Sequence, residues 1–166
     1  MSPAPKRAVA SVALASLWMG AAVFLSAVLA PNAFRVLPTR TLAGAIVGAT
    51  LPAVLVAGIV VGAALIALAL PAYTSSRRGQ LGGAATLVVA CATAQFVIGA
   101  KIERVRSAIT GPIDLMPATD PLRAQFGQLH ALSVLALGVA ILAAIAAGAF
   151  AVRSLRDAAV RIPDPR

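Results

Sequence analysis

Charge is missing from four long stretches of this chain, and this pattern constrains the fold more than any other feature. The stretches cover residues 8–34, 41–76, 79–100 and 124–152. Each holds at least 20 mostly apolar residues, and ~20 such residues in a helix that rises ~1.5 Å per residue cross the ~30 Å hydrocarbon core of a bilayer. The sequence therefore predicts an all-α integral membrane protein, a four-helix bundle with antiparallel up-down topology.

Composition leaves little chain outside those helices. Of the 166 residues, 60% are hydrophobic and only 11% are charged, which is far from the composition of soluble domains. Lys6 and Arg7 precede an apolar run that is longer than the core of a signal peptide, so we expect a first helix that is retained and closed by Pro31. We expect a single membrane domain over residues 1–166, with spans at about 8–30, 41–70, 81–100 and 126–152 and an amphipathic helical extension at about 101–110.

The net charge of +9 is spread over loops and ends, whereas a nucleic-acid binder concentrates its cations on one face. We therefore expect no nucleic-acid partner.

The up-down topology divides the cations between two membrane faces. Eight fall on the side of the termini: Lys6, Arg7, Arg77, Arg78, Arg153, Arg156, Arg161 and Arg166. Six fall on the other side: Arg35, Arg40, Lys101, Arg104, Arg106 and Arg123. The positive-inside rule then favours a multi-pass protein of the cell inner membrane with both termini in the cytoplasm.

Small residues recur at four-residue spacing within the predicted spans. Because lipid tails are as apolar as leucine, membrane helices associate through close packing at such residues rather than through hydrophobic burial. Trp18 lies in the middle of the first span, where its indole N–H needs a partner inside the bundle. The predicted packing residues are Trp18, Gly20, Gly44, Gly48, Gly58 and Gly62. Their faces fit either helix packing within one chain or a homodimer seam.

Polar side chains gather on the membrane face opposite the termini. His130 and Ser133 share a helical stripe at the start of the fourth span, and both predicted connectors on this side carry arginines. A cation cluster of this kind binds phosphate or carboxylate; the alternatives are snorkelling arginines and a structural histidine. The candidate binding residues are Arg35, Arg40, Arg104, Arg106, His130 and Ser133.

Three functions remain open on these observations. The first is a membrane protein without catalytic activity that binds or transports a small anionic solute. The second is an accessory subunit that packs against a larger membrane complex. The third, a haem- or copper-linked redox protein, has the least support, because Cys91 and His130 are the only cysteine and histidine and a copper site would need Met19, Met116 or a partner chain. We expect no metal and no cofactor, and lipid as the main partner.

Several motifs resemble the transmembrane protein 205-like family, which is catalogued as a domain of unknown function (4149). They are Trp-Met-Gly at residues 18–20, Ala-Pro-Asn-Ala-Phe-Arg-Val-Leu-Pro at 30–38, Thr-Leu-Ala-Gly at 41–44 followed by Leu-Pro at 51–52, and Phe-Gly-Gln-Leu-His-Ala-Leu-Ser at 126–133. The resemblance implies a four-helix membrane protein of unsettled role, with transport or tolerance of small solutes as the usual suggestion. The chain departs from the family at residues 53–55 and 134–137, which lack its aromatic residues and its asparagine.

Overall fold

The structure is a computed structural model that describes residues 3–71 and 75–160. It contains four long helices: α1 over residues 3–36, α2 over Arg40–Ala69, α3 over Arg77–Ala108 and α4 over Pro121–Val160. Helices α1 and α3 each pack against both α2 and α4. The all-α four-helix bundle is thus confirmed, while its up-down order stays a prediction. Arg161 and Arg166, which entered the count of cations, lie outside the described residues.

Two of these helices begin at caps that the sequence supplies. The extended residue Thr39 accepts a hydrogen bond from the Leu42 amide on its side-chain oxygen at 3.2 Å. At the start of α4, an Asp120 carboxylate oxygen accepts from the Leu122 amide at 2.8 Å, and Pro121 occupies the first helical position. Both arrangements satisfy amides that a helix start leaves unpaired.

The prediction that Pro31 closes the first helix is wrong. Helix α1 continues to Val36 through a π-helical segment at Phe24–Leu29. The wider π turn shifts the hydrogen-bond pattern, so that the Ala30 amide donates to the Leu25 carbonyl just before the proline, which lacks an amide hydrogen. The Asn32 side chain donates to the Val28 carbonyl at 2.7 Å and satisfies another oxygen in this turn.

Large apolar side chains cover the outside of the bundle. One example on each helix is Leu17, Val60, Val89 and Leu142, whose exposed fractions are 76%, 63%, 64% and 66%. An aqueous protein rarely exposes so much contiguous apolar surface, whereas lipid tails cover it without cost. Each of the four helices is also long and apolar enough to cross a membrane. The chain is therefore a multi-pass membrane protein.

A close contact between two helix backbones joins α3 to α4 at Gly83. A Cβ atom placed on Gly83 would lie 2.8 Å from the backbone nitrogen of Ala147 and 2.9 Å from the carbonyl oxygen of Ala143. Backbone atoms cannot move aside as a flexible side chain does, so only glycine fits here. Gly79 has the four-residue spacing to Gly83 that marks small-residue contacts, and this pair is missing from the set predicted above.

Trp18 joins α1 to α2 beside a second glycine. Its buried indole donates to the backbone carbonyl of Val54 at 2.8 Å. A Cβ atom on Gly58 would lie 2.8 Å from the indole nitrogen and 2.6 Å from Sγ of Cys91 on α3. Gly58 therefore allows three helices to meet at one level of the bundle.

The other predicted packing glycines divide into two kinds. Gly62 lies against α3, since a Cβ atom there would be 3.2 Å from the Ala84 carbonyl oxygen. A Cβ atom on Gly20 or Gly44 would meet no described atom within 4 Å. A Cβ atom on Gly48 would lie 3.6 Å from the guanidinium of Arg106. Four-residue spacing alone therefore does not tell which small residues face a neighbouring helix.

Adjacent glycines on α3 provide a matched test of this packing. We expect Gly83→Ala to destabilise the protein by about 1–3 kcal/mol, because the added methyl group has no room between two backbones. Gly82→Ala should leave stability unchanged or raise it slightly, since a Cβ atom there meets no described atom within 4 Å and alanine favours helix. Thermal unfolding of both variants in one detergent measures the difference; equal melting temperatures would contradict the close contact.

Candidate anion-binding cavity

The bundle opens into a cavity of about 830 Å³ at the end where α2 begins, α3 ends and α4 begins. Its walls come from α2, α3 and α4, with contributions from Phe34 at the end of α1 and from the loop between α3 and α4. On α2 the lining side chains recur every three or four residues from Arg40 to Leu55, as one face of a helix does. The cavity therefore extends over about four helical turns.

Four charged residues line the cavity where the helices meet the connectors. Arg40 begins α2, Glu103 and Arg106 belong to the last turns of α3, and Arg123 lies in the first turn of α4. Three cations thus face one carboxylate, and the formal charge of this group is 3 − 1 = +2. We call these four residues the charged rim.

Polarity decreases with distance from the charged rim. Gln95, His130 and Ser133 supply the remaining uncharged polar side chains of the α3 and α4 walls. Beyond Thr41, the lining residues of α2 are all apolar and end at Leu55, which is buried. Helical rise places Ala94 ~18 Å along α3 from Arg106. The cavity therefore runs from a charged rim to a floor without charge, formed by the apolar residues Leu51, Pro52, Leu55 and Ala94 with Gln95 beside them.

The side chain of Arg106 extends to α2. Its guanidinium lies 3.6 Å from where a Cβ atom of Gly48 would be, which is an ordinary van der Waals distance. Pro52 has no amide hydrogen to donate to the Gly48 carbonyl four residues earlier. The guanidinium thus lies beside a backbone segment with an unused acceptor, which favours a cation there.

The rings of His130 and Phe126 are nearly parallel one helical turn apart. Their centroids are 6.4 Å apart and their planes differ by 3°. Both side chains line the cavity together with Ser133, which is buried. The predicted stripe of His130 and Ser133 on α4 therefore faces this cavity. It supplies two hydrogen-bonding side chains deeper in the cavity than the charged rim.

Two of the predicted binding residues lie elsewhere. Arg35 is exposed and donates to the Asn32 side-chain oxygen one turn earlier on α1, and Arg104 is exposed and absent from the cavity lining. Of the six predicted binding residues, four line the cavity: Arg40, Arg106, His130 and Ser133.

Three polar residues of the lining are absent from the predicted binding residues. Arg123 was predicted to lie in the cation cluster on this face but was not among the candidate binding residues; it lines the cavity and donates to the Met116 carbonyl in the connecting loop. Glu103 and Gln95 line the α3 wall. Helical spacing carried a usable signal, because Arg106 is three residues from Glu103, which places both on one face of α3.

Helix irregularities coincide with the level at which the bundle opens. A π-helical segment at Thr93–Ile98 interrupts α3 directly after Cys91, which contacts Gly58, and it contains the lining residues Ala94, Gln95 and Phe96. Pro52 is the corresponding interruption of α2. Prolines and π-helical turns are the features at which long helices commonly bend, and π-helical turns are frequent at functional sites.

Other sites are less suited to a ligand. A smaller cavity of about 320 Å³ at the opposite end is lined by Ser75, Ser76, Phe150, Arg153, Arg156 and Asp157. There the Ser75 hydroxyl donates to the Asp157 carboxylate at 3.3 Å, and the two arginines against one carboxylate give a smaller excess of positive charge than the charged rim has. Within residues 3–71 and 75–160, no three histidine, cysteine or acidic side chains come together as metal ligands would.

Comparison with known proteins identifies a family. The model of a domain of unknown function, DUF4149, matches residues 13–110. This segment contains the motifs at residues 18–20, 30–38 and 41–52 but ends before the Phe-x-x-x-His-x-x-Ser motif at 126–133, whose assignment stays a prediction. No curated protein and no solved structure matches the chain. More than half of the sequence lies within the matched segment, and the chain therefore belongs to the DUF4149 family.

Proposed function

We propose that the protein binds a small anionic solute in the cavity between α2, α3 and α4, and passes it across the membrane or holds it there. The observation that carries this proposal is the charged rim, where Arg40, Arg106 and Arg123 face the single carboxylate of Glu103. Guanidinium groups bind carboxylate and phosphate through paired charge-assisted hydrogen bonds. His130 and Ser133 add hydrogen-bonding groups deeper in the same cavity.

The charges favour the binding of an anion. Cations at the mouth of a cavity with low-dielectric walls concentrate anions there.

We further propose that the protein resides in the inner membrane with both termini in the cytoplasm, as the distribution of cations favours. The charged rim would then open on the side of the membrane opposite the cytoplasm.

Two arginines on α3 make a matched pair for the test. Removing one charge-assisted hydrogen bond costs about 1.5–3 kcal/mol, so Arg106→Ala should weaken anion binding roughly 10- to 100-fold. Arg104→Ala removes the same charge from the same helix outside the cavity lining and should change affinity by less than about twofold. Scintillation binding of radiolabelled acetate, phosphate and octanoate to protein in lipid nanodiscs measures both variants.

The same experiment shows what would overturn the proposal. Equal losses in Arg106→Ala and Arg104→Ala would mean that general surface charge, and not the cavity, attracts the anions. Binding of all three anions at the level of empty nanodiscs would refute anion binding altogether. With binding established, uptake into proteoliposomes distinguishes transport from retention, since only transport gives accumulation in the lumen that Arg106→Ala reduces.

We propose as a second candidate an accessory role, in which α1 packs against another membrane protein or a second copy of the chain. The observation that favours it is the outward position of Ser16 and Gly20, which are exposed and four residues apart. Such a pair lets a partner helix approach closely.

This second candidate makes its own prediction. We expect Gly20→Leu to release a partner protein or a second copy during purification in mild detergent, because the leucine would separate the two helices. Gly138→Leu, on the outside of α4 where a Cβ atom also meets no described atom within 4 Å, should retain it. Size-exclusion chromatography with light scattering provides the mass; a monomer without a partner in the unmodified protein would contradict this role.

A further inference from the structure

The cavity is much larger than an inorganic anion. The volume of about 830 Å³ is many times the ~30 Å³ that one molecule of liquid water occupies. Phosphate or acetate would fill only the space next to one or two arginines. Cavities of ~300–1,000 Å³ are those in which proteins enclose organic ligands of considerable size.

The distribution of polarity is that of an amphipathic ligand. All four charged residues belong to helix ends near the rim, and the guanidinium of Arg106 extends to Gly48 on α2. Deeper in the cavity the α2 wall is Leu51, Pro52 and Leu55, and the uncharged polar side chains at this depth are Gln95 and Ser133. Water gains few hydrogen bonds against the α2 wall, and apolar surfaces of this kind accept apolar ligands instead. A ligand with a charged head and an apolar chain would satisfy both ends at once.

We infer that the anion bound here carries an apolar chain, with its carboxylate or phosphate head at Arg40 and Arg106 and its chain along the α2 wall toward Leu51 and Leu55. This inference rests on the proposed function, since it names the class of anion that the same cavity takes. The guanidinium of Arg106 lies beside Gly48, and Leu55 is ~10 Å further along α2, which accommodates a chain of several methylene groups. Free fatty acids and single-chain lipid phosphates share this chemistry.

A series of chain lengths tests the inference. Unlabelled alkanoates from acetate to decanoate compete with radiolabelled octanoate for protein in nanodiscs, and binding that Arg106→Ala abolishes is taken as specific to the cavity. Burial of one methylene group corresponds to about a fourfold gain in affinity. We expect specific affinity to rise by about this factor per methylene until the space along the α2 wall is filled. Alkyl phosphates of the same lengths form a second arm, and the series that binds more tightly identifies the head group.

Substitutions of two glycines on α4 distinguish binding of the apolar chain from binding of the charged head group. Gly127 lines the cavity and Gly138 does not, and a Cβ atom meets no described atom within 4 Å at either position. We expect Gly127→Leu, which occupies part of the cavity, to weaken octanoate binding at least tenfold while changing acetate binding by less than threefold. Gly138→Leu should change neither. Gly44→Leu fills the cavity from α2, where a Cβ atom also has open space, and replaces Gly127→Leu if that variant does not fold.

The outcomes distinguish the inference from the function on which it rests. If acetate and phosphate compete as strongly as octanoate, and Arg106→Ala still reduces binding of all three, the inference is wrong and the cavity binds small anions. Equal losses of acetate and octanoate binding in Gly127→Leu would likewise overturn it. If Arg106→Ala changes no anion's binding, the proposed function itself fails.

Discussion

Close contact between helix backbones at glycine residues is the interaction on which this bundle depends. In lipid, helices gain little from burying apolar side chains, so van der Waals contact at short range must hold them together. Gly83 places α3 directly on α4, and Gly58 admits both Trp18 and Cys91. The first contact lies in the half of the bundle where α3 begins, and the second lies near its middle, where Trp18 binds the Val54 carbonyl. Beyond these contacts, α2, α3 and α4 separate around a cavity of about 830 Å³.

The transition between the two halves is built into the helices themselves. Pro52 removes one backbone hydrogen bond from α2, and the π-helical segment Thr93–Ile98 widens one turn of α3. Both lie where the close contacts end and the cavity lining begins. In a bilayer, irregular backbone is tolerated only where protein or a water-filled cavity can satisfy its polar groups. The irregular turns of α2 and α3 therefore lie where the cavity can satisfy their polar backbone groups.

Sequence reasoning located the polar end of the bundle but not the full site. It placed Arg104 and Arg106 in one cluster, yet residues two apart in a helix point ~200° away from each other around its axis. Only Arg106 lines the cavity. The choice between them depends on how α3 is rotated, which is set by its contacts with α2 and α4. Pro31 does not end the first helix, because the π-helical turn before it accommodates a proline that would end an ordinary helix.

By itself, the sequence determined the class of protein, since four uncharged apolar stretches of this length are stable in lipid as spanning helices. Its cap residues also determined where α2 and α4 begin. It also determined that cations lie next to the connectors, because charged side chains avoid hydrocarbon. Only the tertiary structure decided which glycines make contact, which arginines face inward and how far the helices separate. Those outcomes depend on the rotation and spacing of whole helices, to which residues distant in the chain contribute together.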